Sequence, residues 1–150
     1  MGATALTRAL EIKIASGSIL HLHLGDSCSR AGNLSSLASP FCASTVGMPA
    51  TFSGCGRGPS HMFFVVLQPH ETITIGLVRN DFDTQHAVMW SESCPKTYSS
   101  SDSASTCVDD PDTQTATRTN TWATPRRLWY VVRGYDNWQQ GSFTLGFKKT

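Results

Sequence analysis

Charged residues are scarce in this sequence. Asp, Glu, Lys and Arg account for 15% of its 150 residues, and the formal net charge is +1. The basic residues are scattered, and Arg126-Arg127 is the only interior basic pair. Nucleic acid and anionic membranes are bound through a basic stripe, so this composition implies neither of them as a partner.

Long apolar runs and helix signals are also missing. No run approaches the ~20 apolar residues of a transmembrane helix, so we expect no membrane span. Residues 1–8 lack the basic start and apolar stretch of a signal peptide. We interpret this start as a leader replaced by a methionine or as a module cut from a longer chain, with a cytosolic protein carrying reduced thiols as the third reading. Residues 34–37 can form one helical turn at most.

Strand signals run along most of the chain. Apolar and polar residues alternate with the period of two that places successive side chains on opposite faces of a strand. Eight to nine short strands separated by turn residues predict an all-β fold, an antiparallel β-sandwich. Eight segments carry the pattern clearly: residues 10–14, 20–24, 61–67, 72–78, 86–90, 113–121, 128–133 and 143–147.

A single compact domain is expected, because a chain of this length buries about 70% of its unfolded surface. We assign residues 25–150 to this domain and residues 1–24 to an N-terminal strand or hairpin extension. Residues 25–58 are rich in Ser, Gly and Pro and are predicted to be irregular. Residues 128–147 are predicted to form a hairpin, because Gly134 and Gly141 bracket a polar loop between two alternating segments.

The five cysteines indicate an oxidising compartment. Together with abundant Ser and Thr and few Lys and Glu, they predict a secreted, extracellular or cell-surface protein. Their odd number leaves one cysteine unpaired or paired between two molecules. They are Cys28, Cys42, Cys55, Cys94 and Cys107.

A series of short motifs extends from about Gly25 to Phe147. It reads Gly-Asp-x-Cys, Cys-Gly-x-Gly-Pro, an aromatic and β-branched strand, Ile-Thr-Ile, Phe-Asp-Thr, Cys-x-Asp-Asp, Tyr-Val-Val-x-Gly-Tyr and Gly-x-Phe-Thr-Leu. The series resembles the bacterial pre-peptidase C-terminal domain, a jelly-roll-like β-sandwich appended to secreted proteases, collagenases and other exported proteins. The residues that carry the resemblance are Gly25, Asp26, Cys28, Cys55, Gly58, Pro59, Phe82, Asp83, Cys94, Cys107, Asp110, Gly134, Tyr135, Gly141 and Phe143.

The chain departs from the family pattern in two places. Where the family usually has Gly-Pro-Asp before an aromatic strand, this chain has Gly58-Pro59-Ser60, so a carboxylate is missing. Residues 9–24 form an extra segment that the family does not require. This segment is interpreted as an added sheet edge or as the remnant of a preceding module.

The resemblance also implies a disulfide pattern. It pairs Cys94 with Cys107 around a serine-rich loop, and it has cysteines at the positions of Cys28 and Cys55, which we expect to form the second pair. Cys42 is then unpaired or forms an intermolecular bond. The rival pairing of Cys28 with Cys42 stays open, as does the reading of Cys94 and Cys107 as two unrelated thiols.

Asp109, Asp110 and Asp112 are the candidate metal ligands. Carboxylates clustered on loops suit Ca²⁺, which takes oxygen ligands, and some collagen-binding members of the resembled family bind calcium. The other interpretation is that these aspartates, like Asp81 and Asp83, cap turns through backbone amides. The spacing follows no calcium-loop pattern, so we expect no cofactor and keep Ca²⁺ as the alternative.

Two further patterns have both a functional and a structural interpretation. His21 and His23 share one strand face, as two ligands of a zinc site would. Zinc needs three or four ligands and no partner ligands stand out, so a solvated face is the expected interpretation. Residues 113–121 place five threonines on one face, which suits either a regular polymer or a plain solvent-facing edge. No triad, nucleophile elbow or carboxylate pair indicates catalysis, so no enzyme is predicted.

We therefore predict a non-enzymatic extracellular adhesion or substrate-binding accessory module of a secreted or surface protein. In the resembled family, such modules hold a parent protein on an insoluble polymer such as collagen or polysaccharide. Exposed aromatics suit a flat contact of this kind, and Trp138, Tyr135 and Trp122 are the candidates. The alternative is a structural subunit that assembles with copies of itself into a filament or surface layer through its N-terminal strands.

Overall fold

The computed structural model describes Cys28, residues 31–100 and residues 105–150. The expected strands within residues 1–24, including His21 and His23, lie outside the described residues, as does Asp26. No α-helix occurs in residues 31–100 or 105–150, where a 3₁₀ turn, Leu34–Ser36, fulfils the single helical turn allowed by the sequence. The strands are β1 Gly32–Asn33, β2 Phe41–Ser44, β3 Ser60–Leu67, β4 Thr72–Asn80, β5 Thr84–Trp90, β6 Ser105–Val108, β7 Ala116–Thr119, β8 Arg126–Gly134 and β9 Ser142–Lys149.

Two sheets form a sandwich. Sheet A has five strands in the order β1-β3-β8-β5-β6, and sheet B has four in the order β2-β9-β4-β7. All pairs are antiparallel except β1 with β3. Consecutive strands change sheet at every step except from β5 to β6, the alternation expected of a jelly-roll-like sandwich. The prediction of an all-β sandwich is confirmed.

The main core lies between the two sheets. Alternate side chains of β3, β5 and β8 face inward from sheet A, and those of β4 and β9 face them from sheet B. The 3₁₀ turn closes one side of this core with a buried leucine. The buried members are Leu34, Phe63, Val65, Leu67, Ile73, Ile75, Leu77, Phe82, Val88, Ala116, Leu128, Tyr130, Val132, Phe143 and Leu145.

A second, smaller core covers the outer face of sheet A. Met62, Ala87, Met89, Trp129 and Val131 project to this side and are covered by the loops before β3 and after β5. The central strand β8 is therefore buried on both faces, which explains its nearly continuous apolar sequence. The loop residues packed on this face are Phe52, Cys55, Cys94 and Tyr98.

One disulfide fastens the loop before β3 to strand β6 of sheet A, and the other ties the loop after β5 to Cys28. Cys28 pairs with Cys94 and Cys55 with Cys107, each with a Cα–Cα distance of 5.5 Å, and Cys42 is free and exposed. These are the four cysteines predicted to pair. The sequence separations of 66 and 52 residues make each bond worth about 4 kcal/mol in the chain-entropy model.

The expected partners are wrong, both Cys94 with Cys107 and Cys28 with Cys55, and the rival bond between Cys28 and Cys42 does not form either. Strand register explains the first error. Cys107 lies opposite Ala87 inside the β5–β6 ladder, whereas Cys94 follows the end of β5. The two cysteines flank one loop in sequence, but each is bonded to a cysteine from another part of the chain.

The predicted hairpin over residues 128–147 is also wrong. Both strands exist, but β8 lies in sheet A and β9 in sheet B. The loop of residues 135–141 is long enough to carry the chain from one layer to the other. The threonine strand is shorter than expected and comprises only β7 at the edge of sheet B, while β1, β2 and β6 occur in segments predicted to be irregular.

Candidate functional site

Residues 135–141 stand at one end of the sandwich, which we call the loop end. The loop begins where β8 ends, and its first residues are held by backbone hydrogen bonds. Tyr135 N donates to Asp83 O at 3.0 Å, and Arg57 N and Gly58 N donate to Gly134 O at 3.1 and 3.0 Å. A side chain at position 134 would collide with the carbonyl of Gln139, so the loop closes this tightly only on glycine. The loop is therefore fixed to sheet A.

Its far side is fixed to sheet B. Thr45 N donates to Gly141 O at 2.9 Å, and Gly141 N donates back to Thr45 Oγ1 at 3.1 Å. Asp81 Oδ1 accepts from Ser142 N at 2.7 Å. Since both layers of the sandwich hold it, the loop presents its side chains from a defined backbone.

A buried arginine holds the glycine-rich loop that is hydrogen-bonded to Gly134 at the loop end. The Arg133 guanidinium is 3% exposed and donates to three carbonyls of the glycine-rich loop before β3: Gly58 O from Nε at 3.0 Å and Nη2 at 2.9 Å, and Gly56 O and Gly54 O from Nη1 at 3.0 and 3.3 Å. Burial lowers the pKa of Arg133. The planar fork suits several carbonyls at once, and this contact shapes the loop that carries Arg57.

Two open clefts flank Tyr135. One, of about 470 Å³, is lined by Asp83 and by the β6–β7 loop with Asp109, Asp110 and Asp112. The other, of about 480 Å³, is lined by the glycine-rich loop with Arg57, by Gln85 and by Asp136. Tyr135 lines both clefts and is the one residue that they share.

The aromatic residues proposed to bind a polymer do not form one face. Trp138 is 73% exposed and Tyr135 is 44% exposed, and both belong to the loop end. Trp122 lies in the loop before β8, at the opposite end of that nine-residue strand, which is roughly 26 Å long. The structure thus keeps Trp138 and Tyr135 in one loop and separates Trp122 from them.

Trp122 has its own partners. Its ring lies 5.3 Å from that of Trp90 in an edge contact, and the Arg126 guanidinium lies 4.8 Å above it. Arg126 in turn pairs with Glu92 at 2.8 Å. Among the described residues no ring or cation packs on Trp138, whose indole is left to solvent. Trp129 is buried, and Trp90 packs half-buried against the main core.

Asp83, Asp109, Asp110 and Asp112 line one of the two clefts, but the side chain of Asp112 already accepts hydrogen bonds from other residues. Asp112 Oδ2 accepts from Asn80 Nδ2 and, at 3.3 Å, from Thr84 N. Desolvation of its carboxyl group and the negative charges of Asp112 and Asp109 raise the pKa of Asp83, although its side chain is exposed. In the part of the chain that the structure describes, no group of three His, Cys, Asp or Glu residues has the arrangement of a metal site. Binding of Ca²⁺ by Asp109, Asp110 and Asp112 stays a prediction.

The threonine pattern forms a small hydroxyl array on the outer face of sheet B. Thr119 and Thr117 of β7 lie opposite Thr72 and Thr74 of β4, and their hydroxyls meet at 2.8 and 3.1 Å. The hydroxyls are therefore paired with one another across the two strands, a common way to stabilise an exposed edge.

Comparisons with protein-family models, with curated proteins and with solved structures each find no match. The resemblance to the pre-peptidase C-terminal domain therefore remains a prediction from the motifs. No helix of the described residues is long and apolar enough to cross a bilayer. The two disulfides are compatible with an extracellular protein.

Three residues of the site were not predicted from the sequence: Arg57, Gln85 and Asp136. They come from different loops and strands, and only the sheet topology brings them beside Tyr135. Arg133 had a visible signal, since it is a lone cation at the end of the apolar strand β8. A buried guanidinium there requires several acceptors, and the nearby glycine-rich loop supplies them.

Proposed function

We propose that this chain is a non-enzymatic attachment module of a secreted or surface protein, and that its loop end binds an insoluble polysaccharide. The observation that carries the proposal is the 73% exposure of Trp138 on a loop that is held by both sheets and that also carries Tyr135, which is 44% exposed. A soluble domain gains nothing in stability from an indole in water, so an anchored, exposed one indicates a contact surface.

Ring chemistry supports a sugar ligand. Indole and phenol rings offer a large apolar contact at a low cost in side-chain entropy, and they stack on the C–H faces of sugar rings. The clefts beside Tyr135 add groups that hydrogen-bond to hydroxyls: the carboxylates of Asp83 and Asp136, the amide of Gln85 and the guanidinium of Arg57. Both clefts are open at the surface, which suits a chain that continues beyond the site.

The proposal includes the predicted resemblance to the pre-peptidase C-terminal domain and the predicted extracellular location. The pre-peptidase C-terminal-like motifs support a module that accompanies a larger exported protein, and the two disulfides support an oxidising location. Polysaccharide is favoured over collagen because the clefts are dominated by hydroxyl-binding groups. Collagen is the other outcome of the test.

Pull-down on chitin, cellulose and collagen tests the proposal. The chain should sediment with one of the polysaccharides and release no soluble sugar. Trp138→Ala should weaken that binding by about 10- to 100-fold, and Tyr135→Ala should weaken it by about 10-fold. Trp122→Ala is the matched control, an exposed tryptophan at the opposite end, and should retain affinity within about twofold.

Three results would contradict the proposal. They are binding to collagen only, equal affinity of the wild type and Trp138→Ala, and release of soluble sugar.

Self-assembly is favoured by one observation, the exposed Cys42 on β2 at the edge of sheet B. Filaments in electron microscopy that disappear when residues 1–24 are removed would establish assembly instead.

A further inference from the structure

The end of β1 and the start of the 3₁₀ turn have the sequence Asn33-Leu34-Ser35. It is the only Asn-x-Ser or Asn-x-Thr tripeptide in the 150 residues, although the chain contains four asparagines. This tripeptide, with any residue except proline in the middle, is the acceptor sequence for N-linked glycosylation of exported proteins. Because the tripeptide also occurs by chance, the surroundings of Asn33 decide whether it can carry a glycan.

The structure exposes the two side chains that the acceptor sequence requires. Asn33 and Ser35 are exposed, whereas Leu34 between them is 2% exposed and belongs to the main core. The buried leucine fixes this segment to the sandwich, and the two polar side chains are left at the surface. A glycan on Asn33 would therefore extend into solvent without disturbing the core.

The hydrogen bonds of Asn33 leave its amide nitrogen without a partner. Asn33 Oδ1 accepts from Ser35 N at 3.0 Å, and Asn33 O accepts from Ser36 Oγ at 2.9 Å, but Nδ2 donates to no described residue. Asn80 and Asn120, by contrast, each donate from Nδ2 to a main-chain carbonyl. A sugar bonded to Asn33 Nδ2 would thus break no hydrogen bond within the described part of the chain.

Asn33 also lies away from the loop end. It belongs to β1, the outermost strand of sheet A, and stands opposite Phe64 of β3. Phe64 in turn stands opposite Trp129 of β8, and the six-residue step from Trp129 to Tyr135 spans about 20 Å along the strand. A glycan on Asn33 would therefore cover the edge of sheet A and leave the loop end accessible.

We propose that Asn33 is N-glycosylated during export of the protein. The inference rests on the extracellular location proposed above and is independent of polymer binding. In the transfer, Asn33 Nδ2 forms a bond to the anomeric carbon of a lipid-linked oligosaccharide diphosphate. The bond from that carbon to the diphosphate oxygen breaks, the lipid diphosphate leaves with the electron pair, and the amide gives up one proton. The bulky, hydrophilic glycan would keep another sheet edge from pairing with β1.

Mass spectrometry of the chain recovered from the cells that produce it tests the inference. After reduction and digestion with trypsin, the peptide of residues 31–57 should be heavier by the mass of an oligosaccharide. Peptide N-glycosidase should remove this mass and leave aspartate at position 33, and a sample incubated without the glycosidase is the control for spontaneous deamidation. An unmodified peptide would overturn the inference.

Disulfide mapping of the same sample distinguishes two kinds of failure. An unmodified Asn33 in a chain with both disulfides formed would overturn the glycosylation alone. An unmodified Asn33 in a chain whose cysteines are all reduced would contradict the proposed extracellular location as well.

Variants produced in the same cells test the acceptor sequence. Asn33→Gln and Ser35→Ala should each abolish the added mass, whereas Ser35→Thr should retain it, because threonine keeps the hydroxyl of the acceptor sequence. Asn137→Gln is the matched control: Asn137 is exposed but outside an acceptor sequence, so this variant should be modified like the wild type. An added mass that persists in Asn33→Gln or in Ser35→Ala would overturn the assignment to Asn33.

Discussion

Each end of the sandwich exposes a tryptophan, but the two side chains differ in what packs against them. At the end before β8, Trp122 packs against Trp90 and lies under the Arg126 guanidinium, which is itself paired with Glu92. At the loop end, Trp138 is exposed without such partners among the described residues, in the same loop as Tyr135, which lines two polar clefts. Exposure alone does not identify a binding residue. The loop end differs because hydrogen bonds hold its backbone in place, whereas the exposed ring of Trp138 has no packing partner among the described residues.

Removing the support of the loop end should have the largest effect. Arg133→Met leaves three carbonyls of the glycine-rich loop without their buried donor, and we expect a loss of about 3 kcal/mol in the free energy of unfolding. Hydrogen exchange under native conditions should accelerate at the amide of Tyr135 and stay unchanged at that of Trp122.

The matched variant is Arg133→Lys, which keeps the charge but loses the planar fork and should lie between Met and the wild type. Equal acceleration at both ends of the molecule would show that Arg133 supports the whole sandwich rather than the loop end.

The two tryptophan variants should rank in opposite orders for stability and for binding. Trp122→Ala removes an aromatic edge contact and a cation–π contact and should cost about 1–2 kcal/mol. Trp138→Ala removes an exposed ring and should change stability by less than about 0.5 kcal/mol. Chemical denaturation of both variants checks this, and a larger loss for Trp138→Ala would mean that its ring is a packing residue.

Neutralising one carboxylate at each end should have small and opposite effects. Desolvation and neighbouring aspartates raise the pKa of Asp83, so Asp83→Asn should stabilise the fold by less than about 1 kcal/mol near neutral pH. Because the folded state binds this proton first, the gain should shrink as the pH falls through the raised pKa. Glu92→Gln removes the ion pair with Arg126 and should cost less than about 1 kcal/mol. Thermal unfolding at several pH values would contradict this account if both changes had the same sign.

The smallest effect is expected at the one free thiol. Cys42 is exposed on the edge strand β2, so Cys42→Ser should leave the free energy of unfolding unchanged within about 0.5 kcal/mol. Non-reducing electrophoresis should show a disulfide-linked dimer, if any, only in the wild type. A large loss of stability in Cys42→Ser would show that the thiol has a structural role.

The sequence predicted the long strands well. Strands β3, β4, β5, β8 and β9 have seven to nine residues, enough for the alternation to repeat. The strands β1, β2 and β6 have two to four residues and leave no such pattern. Alternation also records which side a residue faces but not which strand lies beside it, and this is why the pairing of β8 with β9 was wrong. The expected bond between Cys94 and Cys107 came from the family resemblance, and the structure pairs each of them with another cysteine.

The candidate site could be predicted only in part for the same reason. Tyr135 and Trp138 stand in one glycine-bracketed loop, so local sequence was enough to find them. Gln85, Arg57 and the aspartates of two other loops join them through topology, which no local pattern encodes. The buried state of His61 and His86 was missed because histidine among apolar residues reads equally well as a solvated position.

The most direct test of the binding site is to follow the four tryptophan indole N–H resonances by NMR during titration with a soluble oligosaccharide of the polymer that is bound. The account predicts a progressive shift of the Trp138 resonance, while those of Trp90, Trp122 and Trp129 stay in place. A shift of the Trp122 resonance with Trp138 unmoved would contradict the assignment of the binding surface to the loop end.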